Sequence, residues 1–482
     1  MKLNELIKGL NYLKITKDTD IEIKNLTINS KAVTPFDLFI CITGKSTDGH
    51  NFYKEALFNG AKALVVEKEL DTEICQIVVK DSREAMNILS ETFFDYPSKK
   101  LKMIGITGTN GKTTTSYMIK SILDTAGKKT GIIGTLGIYY SNKQIAPELT
   151  TPDPICLNKT LADMVDSGVE YVVMEVSAHA IFYNKIGNIK FEIGIFTNLT
   201  QDHLDFFKTI DKYREAKASF FNKKHIKSAV MNFDDLSSQY ICEKCDVPYI
   251  SYGLKNPSDV FAIDIEQTIG GCSFVINLLD DIKEIKMRLL GEFNVSNALA
   301  AATACKLIGI ETDTIAEGIL NLKKVDGRLE YAGNFNGGDI FVDFAHTPDG
   351  LKKILESLRA LNPTKLICLF GCGGNRDKLK RPIMGEIVGQ NADFSIVTSD
   401  NPRYEDPLDI ISDIEIGLRK VTKKYVTVQD RISAIDYAIK LLTQGDILVI
   451  SGKGGENYQE IMGIKHTYND NAVINEILYK LK

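Results

Sequence analysis

The sequence predicts an α/β protein of three domains. Apolar strand-like runs alternate with helical patterns through most of its 482 residues, the mark of mostly parallel sheets covered by helices on both faces. A glycine-rich turn, Gly105-Ile106-Thr107-Gly108-Thr109-Asn110-Gly111-Lys112-Thr113-Thr114-Thr115, follows the apolar Met103-Ile104 and leads into a helical run from Thr114 to Leu123. Just before it, Tyr96-Pro97-Ser98-Lys99-Lys100 reads as a helix end and a linker. A further set of strand-like runs begins beyond Arg328. These breaks place domains at 1–98, 99–330 and 331–482, within the two to four that a chain of this length suits at about 150 residues each.

In the first domain, strands are expected at Ile21-Ile23, Leu38-Ile42, Ala63-Val66 and Ile74-Val79, with a helix from Arg83 to Phe94 capped by Asp81 or Ser82. Ser30-Lys31 and Lys45-Ser46-Thr47-Asp48-Gly49-His50 read equally well as solvated turns or as contacts.

The glycine-rich turn opens the second domain. Small residues let the backbone turn tightly and aim N–H groups at an anion, a helix N-terminus adds partial positive charge, Lys112 adds a full one, and Thr113 offers a hydroxyl to magnesium. The spelling departs from the common phosphate loop, with Ile106 where a glycine is expected. Strands follow at Lys129-Gly134, Tyr171-Val176, Ile193-Phe196 and Ala229-Met231. Ligands of such folds gather at strand carboxyl ends, where this chain has Glu175-Val176-Ser177-Ala178-His179 and Thr197 through Asp205, including Asp202-His203. Magnesium on a triphosphate needs oxygen ligands, which Thr113 and Glu175 would supply. Lys217 falls in a helix, Tyr213 to Phe221, on a face that carries aromatics, and by pattern alone it reads as a snorkelling surface lysine. Residues 287 to 330 hold Leu290 to Asn297, an alanine-rich helix through Leu307, and Asp326-Gly327-Arg328.

The third domain is expected to have strands at Ile340-Asp343, Leu366-Phe370, Ser395-Thr398, Tyr425-Val428 and Ile447-Ile450. Their ends carry Asp343-Phe344-Ala345-His346, Gly371 through Arg376, Ser399 through Arg403, and Gly452-Lys453-Gly454-Gly455-Glu456. Four such ends on one side of a sheet make a second binding face.

The totals narrow the function. A net charge of −5 argues against nucleic-acid binding by a general basic field. The start has no long apolar core of a signal peptide, and no apolar run reaches membrane-spanning length. Nine cysteines, an odd number, suggest free thiols in a reducing compartment; Cys242 and Cys245, the one close pair, read as incidental thiols ahead of a zinc site. A cytoplasmic protein is expected.

At these residues the chain resembles the Mur ligases, the ATP-dependent amide-forming enzymes of peptidoglycan precursor synthesis. The marks are Gly108-Thr109-Asn110-Gly111-Lys112-Thr113-Thr114, Glu175 with Ser177, Asp202-His203, Ala216-Lys217, Asn294 to Asn297, Gly327-Arg328 and Asp343 to His346. The resemblance implies a small N-terminal substrate domain, a central phosphate-loop ATPase domain and a Rossmann-like C-terminal domain. It implies ATP at residues 108–114 with Asn297, Arg328, Asp343 and His346. Lys112, Glu175, His203 and Lys217 would be catalytic, and Thr113, Glu175, His203 and Lys217 would serve two magnesium ions. Lys217 matches the family's carbamylated lysine, whose CO2-derived carboxylate (N6-carboxylysine) turns a cation into a metal-binding anion. A monomer acting on small molecules, without nucleic acid or membrane insertion, is expected.

Within that family, Thr150-Thr151-Pro152-Asp153, Gly371 to Pro382 and Asp400-Asn401-Pro402-Arg403 resemble the members that add meso-2,6-diaminopimelate to UDP-N-acetylmuramoyl-L-alanyl-D-glutamate. The nucleotide-sugar substrate is then expected at Ser30, Thr150, Thr151, Ser177, Tyr183 and Lys185. Diaminopimelate is expected at Arg376, Asp400, Asn401, Pro402, Arg403, Gly452 and Glu456. L-Lysine lacks the distal carboxylate that the Arg403 fork suits, and would leave that guanidinium unpaired beside like charge, at a cost on the order of several kcal/mol. The chain has Lys31 and Lys185 where an arginine fork is usual, Tyr183 for Gln, Ala178 for Ser, Phe344 for Tyr and Gly455 for His. A lysine-adding or folylpolyglutamate-type ligase is the alternative within the class, and a non-catalytic ATP-binding switch the alternative outside it.

Overall fold

A computed structural model describes residues 1–44, 47–146 and 149–481, so Lys45 and Ser46 of the polar stretch noted above lie outside the described residues. The chain packs as two compact units, one of Met1–Gly105, Lys128–Gly194 and Ser219–Ser228, the other of Ile106–Gly127, Ile195–Ala218 and the chain from Ala229 onward.

The first unit holds a five-stranded sheet in the order Tyr12–Ile15, Cys75–Val79, Ala63–Val66, Asp37–Ile40, Asn25–Thr27. Its first pair is antiparallel and the rest are parallel. Alternate side chains fill two cores: Leu38, Ile40, Val65 and Ile77 pack under Leu3, Leu6, Met86 and Leu89, while Phe39, Leu64 and Val66 pack with Val33 and Ala56. Burial on both faces is why these strands read as continuous apolar runs. Asp81 caps the helix Ser82–Phe93, its carboxylate accepting from the Arg83 and Glu84 N–H groups. The strand expected at Ile21-Ile23 is displaced to Asn25–Thr27. Leu3 donates to the Ile21 carbonyl and Ile23 to that of Met1, so the N-terminal residues take up the backbone groups a sheet partner would have used.

The same unit carries Tyr171–Glu175, Thr130–Gly134, Gly137–Tyr140 and Lys143–Ile145, neighbours in that order, together with the first residues of Lys102–Thr107 and Phe191–Phe196. Tyr171–Glu175 and Thr130–Gly134 are parallel, and Gly137–Tyr140 and Lys143–Ile145 fold back as antiparallel hairpins.

In the second unit, the helix Lys112–Thr125 packs with Glu292–Leu307 and Thr312–Asn321. A meander of Val260–Thr268, Gly271–Leu278 and Asp281–Met287 follows Tyr249–Gly253. Further along the chain is a six-stranded sheet in the order Glu330–Phe335, Gly338–Asp343, Ile447–Ser451, Leu366–Phe370, Phe394–Val397, Tyr425–Thr427. All but the first pair are parallel. Pro348–Arg359, Lys380–Asn391 and Pro407–Val421 cover one face through Leu355, Met384 and Ile414; Arg431–Lys440 and Asp470–Leu481 cover the other through Ile435, Ile439 and Ile474. The strand ends expected to carry the unusual residues all close on one edge of this parallel core. Among the described residues no helix is long and apolar enough to cross a membrane.

One buried ion pair anchors the last helix. Arg431 Nε and Nη2 donate to the two Asp470 carboxylate oxygens at 2.9 and 2.7 Å, Nη2 also reaches the Ser451 carbonyl at 3.1 Å, and the Tyr468 hydroxyl donates to Asp470 at 2.8 Å. Removing one partner strands a buried charge, so Arg431→Met is expected to cost about 3–5 kcal/mol. Arg419→Ala, which breaks the solvent-facing pair with Glu415, is expected to leave the midpoint almost where it is. Urea unfolding midpoints check the contrast, and equal effects would contradict it.

Candidate active site

The phosphate-type loop is built by close approach. Gly108 has φ +151°, and a Cβ there would lie 1.9 Å from Thr197 Oγ1; Gly111, at φ +87°, would place one 2.4 Å from Asn297 Oδ1. Gly111 precedes Lys112–Thr125 without a side-chain cap, which leaves the first-turn N–H groups for an anion. The segment after Phe196 braces the loop. Thr109 N donates to the Asn198 carbonyl at 2.8 Å, Asn110 N to Asn198 Oδ1 at 2.9 Å, and Thr197 Oγ1 to the Asn110 carbonyl at 2.6 Å. Lys112 Nζ donates to the Gly108 and Thr109 carbonyls, both at 2.9 Å. Thr114 is buried, and Thr115 Oγ1 donates to Asn297 Oδ1 at 3.4 Å.

Lys217 lies against the same loop, and the expectation of a surface lysine fails. It is 1 % exposed, its Nζ donates to the Gly108 carbonyl at 2.8 Å, and it stands 4.7 Å over the Tyr213 ring. Its helix, Ile210–Ala218, ends before Phe220 and Phe221, so the aromatic face that suggested snorkelling is not one helical face. Among the described residues no carboxylate forms an ion pair with it. Burial first, and the neighbouring Lys112 second, drive its amine far below the usual lysine range, against the pull of Asp202. His203, at φ +56° before the short helix Leu204–Phe207, has Nε2 3.4 Å from Asp202 Oδ2. Burial pushes its imidazole down to about 4; Lys217 and Lys112 reinforce this and Asp202 opposes it. Near neutral pH the ring therefore offers a lone pair.

Residues from the C-terminal region complete this cluster within the second unit. Arg328 Nη2 donates to Thr113 Oγ1 at 3.2 Å, with its guanidinium 4.4 Å over the Phe344 ring. Asn110 Nδ2 reaches Asp349 Oδ2 at 3.2 Å. Asp343 accepts from the Ala345 and Leu329 N–H groups at 2.5 and 2.6 Å; burial raises its carboxyl to about 6 although Arg328 opposes the shift. His346 holds the Phe344 carbonyl with Nδ1, and Lys380 Nζ donates to the His346 carbonyl at 2.9 Å. Asp202 and Lys380 were not among the expected site residues. Asp202 was visible in the sequence beside His203, and Lys380 lies within the Gly371 to Pro382 stretch, where nothing singled it out from its neighbours.

In the first unit, Glu175 is 1 % exposed. It accepts from Thr135 N at 3.0 Å and Thr135 Oγ1 at 2.9 Å. Thr151 Oγ1 donates to the Glu175 carbonyl at 2.9 Å and accepts from Ser177 N at 3.1 Å, while Thr150 and Thr135 hydroxyls meet at 3.2 Å. Thr150, Thr151, Ser177 and Glu175 thus form one polar group. Lys185 is half-buried, and burial lowers its amine, opposed by Asp153 and reinforced by Arg83. Arg83 lies 4.7 Å over the Tyr183 ring. Ser30 donates instead to Glu55 at 2.5 Å.

The C-terminal candidates assemble as well, with a difference. Arg403, at φ +53°, donates through Nη1 to the Gly374 carbonyl at 2.7 Å and through Nε to Glu460 Oε2 at 3.1 Å. The expectation that Arg403 would stand unpaired without a distal carboxylate is therefore corrected, because the hairpin Tyr458–Ile461 and Ile464–Thr467 brings Glu460 to it. Asn401 Nδ2 donates to Glu456 Oε2 at 2.9 Å, and a Cβ on Gly452 would lie 2.5 Å from Asp400 Oδ2. A Cβ on Gly374 would lie 1.9 Å from the Pro402 carbonyl oxygen, while Arg376 is exposed at the rim.

Family models match residues 22–98 (Mur ligase family, catalytic domain), 106–305 (Mur ligase middle domain) and 327–454 (Mur ligase, glutamate ligase domain). A protein of Alkaliphilus oremlandii, named UDP-N-acetylmuramoyl-L-alanyl-D-glutamate--2,6-diaminopimelate ligase, is 41 % identical over 484 residues, covering 100 % of this chain and 99 % of its own. The chain belongs to the Mur ligase family. A Geobacillus thermodenitrificans protein of the same name is 41 % identical over 98 % of both chains. A solved structure of a ligase of that name superposes with TM-score 0.70 at 29 % identity, covering 100 % of this chain and 99 % of its own.

The donor set fits magnesium held largely by phosphate. Among the described residues there is no cluster of three His, Cys, Asp or Glu side chains that could hold a metal alone, and magnesium usually takes one or two protein ligands plus substrate phosphates. Gly108→Ala should distort the loop without touching either core. It is expected to abolish the thermal stabilisation that Mg-ATP gives the wild type, read as the shift in unfolding midpoint; an unchanged shift would contradict the cradle.

Proposed function

We propose that the protein is the cytoplasmic ligase that joins meso-2,6-diaminopimelate to UDP-N-acetylmuramoyl-L-alanyl-D-glutamate with ATP, giving the tripeptide, ADP and phosphate for peptidoglycan synthesis. The observation that carries the reading is full-length likeness to relatives of that name, joined to a phosphate loop with a buried lysine on its Gly108 carbonyl. The three domains would be 1–98 for the nucleotide sugar, 99–330 for ATP and 331–482 for the amino acid, acting as a monomer.

ATP binds along residues 108–114, with Asn297, Arg328, Asp343 and His346 at the nucleotide. The substrate carboxylate attacks the γ-phosphorus, the bond to the β–γ bridging oxygen breaks, and ADP leaves; Lys112 neutralises the charge on the transferring group. The amine of diaminopimelate then attacks the acyl phosphate carbon, a tetrahedral intermediate collapses with loss of phosphate, and the amine proton passes to solvent. Thr113, Glu175, His203 and the modified Lys217 would hold magnesium, which when bound would supply charge neutralisation on the phosphates. Lys217 is suited to modification because it lies buried on the Gly108 carbonyl and burial lowers its amine well below the usual lysine range: in its unprotonated form the nitrogen attacks CO2, the N–C bond forms, and one proton leaves to give the carbamate. Ser30, Thr150, Thr151, Ser177, Tyr183 and Lys185 would hold the nucleotide sugar. Arg403 and Arg376 would read the distal carboxylate beside Asp400, Asn401, Pro402, Gly452 and Glu456.

L-Lysine is the competing substrate, and Arg403 separates the two. Phosphate release with the UDP-dipeptide is expected with diaminopimelate and at background with lysine. Arg403→Ala should lower kcat/KM for diaminopimelate about a hundredfold, the worth of a charge-assisted contact. Equal turnover of lysine would overturn the specificity, and no turnover with either amine would overturn the ligase in favour of an ATP-binding switch.

A further inference from the structure

Lys453 follows the strand Ile447–Ser451 and is 0 % exposed. A buried ammonium is costly unless every contact is made. Its Nζ donates to Asn401 Oδ1 at 2.9 Å and to Glu456 Oε2 at 3.0 Å. The rings of Tyr458 and Tyr468 flank it at 5.6 and 5.7 Å. Tyr468 in turn bonds Asp470, whose partner Arg431 holds the Ser451 carbonyl. The cage is thus rooted in the buried ion pair that anchors the last helix.

The donors around Asn401 leave its amide one orientation. Lys453 Nζ and the Glu460 N–H can only donate, and both meet Oδ1 at 2.9 Å. Nδ2 must then face the other way, and it meets Glu456 Oε2 at 2.9 Å. Oε2 therefore takes two hydrogen bonds, from an ammonium and an amide, while Oε1 has none among the described residues. Glu456 is 22 % exposed. The result is a carboxylate locked through one oxygen, with the other making no hydrogen bond among the described residues. A methionine would fill the same space without orienting either neighbour.

We infer that Lys453 is a positioning residue for amino-acid selection: it fixes Asn401 and Glu456 so that the second Glu456 oxygen meets the ammonium at the distal end of the incoming diamino acid. This rests on the placement of diaminopimelate proposed above. Arg403 would take the carboxylate of that same distal centre, so the two ends of the cage read a zwitterion.

Steady-state kinetics with Lys453→Met, Glu456→Gln and the double variant test it, beside amino-acid-independent exchange of ADP into ATP with the UDP-dipeptide and phosphate. Lys453→Met is expected to raise KM for diaminopimelate about tenfold or more and to leave the exchange rate unchanged. The double variant should be no worse than the worse single one, because both changes remove one interaction. Lys453→Arg, which keeps the charge, should recover most of the loss. Lys453→Gln, which keeps one donor, guards against a variant that does not fold and should show a smaller rise. An unchanged KM, losses that multiply in the double variant, or a parallel fall in exchange would overturn the inference. Absence of diaminopimelate-dependent turnover in the wild type would overturn the ligase reading itself, a result distinct from a variant that matches an active wild type.

Discussion

Two ammonium groups meet the carbonyl of Gly108, Lys112 at 2.9 Å and Lys217 at 2.8 Å. Like charges so close repel strongly in a poorly solvated place, and Lys217 is nearly wholly buried. Burial first and the Lys112 charge second push the Lys217 amine well below the usual lysine range. A neutral amine beside the phosphate loop is a nucleophile that can take up CO2, whereas a protonated one cannot. The loop, the helix that delivers Lys217 and the Thr109–Tyr213 hydroxyl contact between them all serve that arrangement. Gly108 permits it by lacking a Cβ, because any side chain there would displace Thr197.

The C-terminal sheet solves a different electrostatic problem. Its strand ends bring Asp400, Glu456 and Glu460 together with Arg403, Lys453 and Arg431, and each cation is tied to a particular acceptor. Burial would raise the Asp400 carboxyl, yet Lys453 and Arg431 outweigh it and hold the group below its usual range. The outcome is a cluster in which opposite charges alternate, each held to a named partner. The cluster around Lys112 and Lys217 and this charged cluster share the second unit, which also holds Asp343 and His346 after Gly338–Asp343 and Lys380 on the His346 carbonyl.

Much of this was legible in the sequence where the signal is local. The glycine loop, the helix N-cap at Asp81 and the parallel strands with apolar runs emerge close to where pattern places them, because each depends on a few consecutive residues. Long-range partners were not. Ile21-Ile23 has strand composition but bonds the first residues of the chain. Lys217 has the surroundings of a surface lysine until the loop folds over it. Glu460 and Lys453 lie in and beside a hairpin that turns at Met462-Gly463, and their partners are more than 50 positions away at Asn401 and Arg403. Charge pairing across such separations is set by topology, which pattern reading does not supply.

The state of the Lys217 nitrogen tests the account most directly. Protein equilibrated with 13C-bicarbonate and examined by 13C NMR should show a carbamate carbonyl resonance that disappears in Lys217→Ala, together with ligase activity. A wild type that is fully active without that resonance, or a Lys217→Ala protein that keeps both, would contradict it.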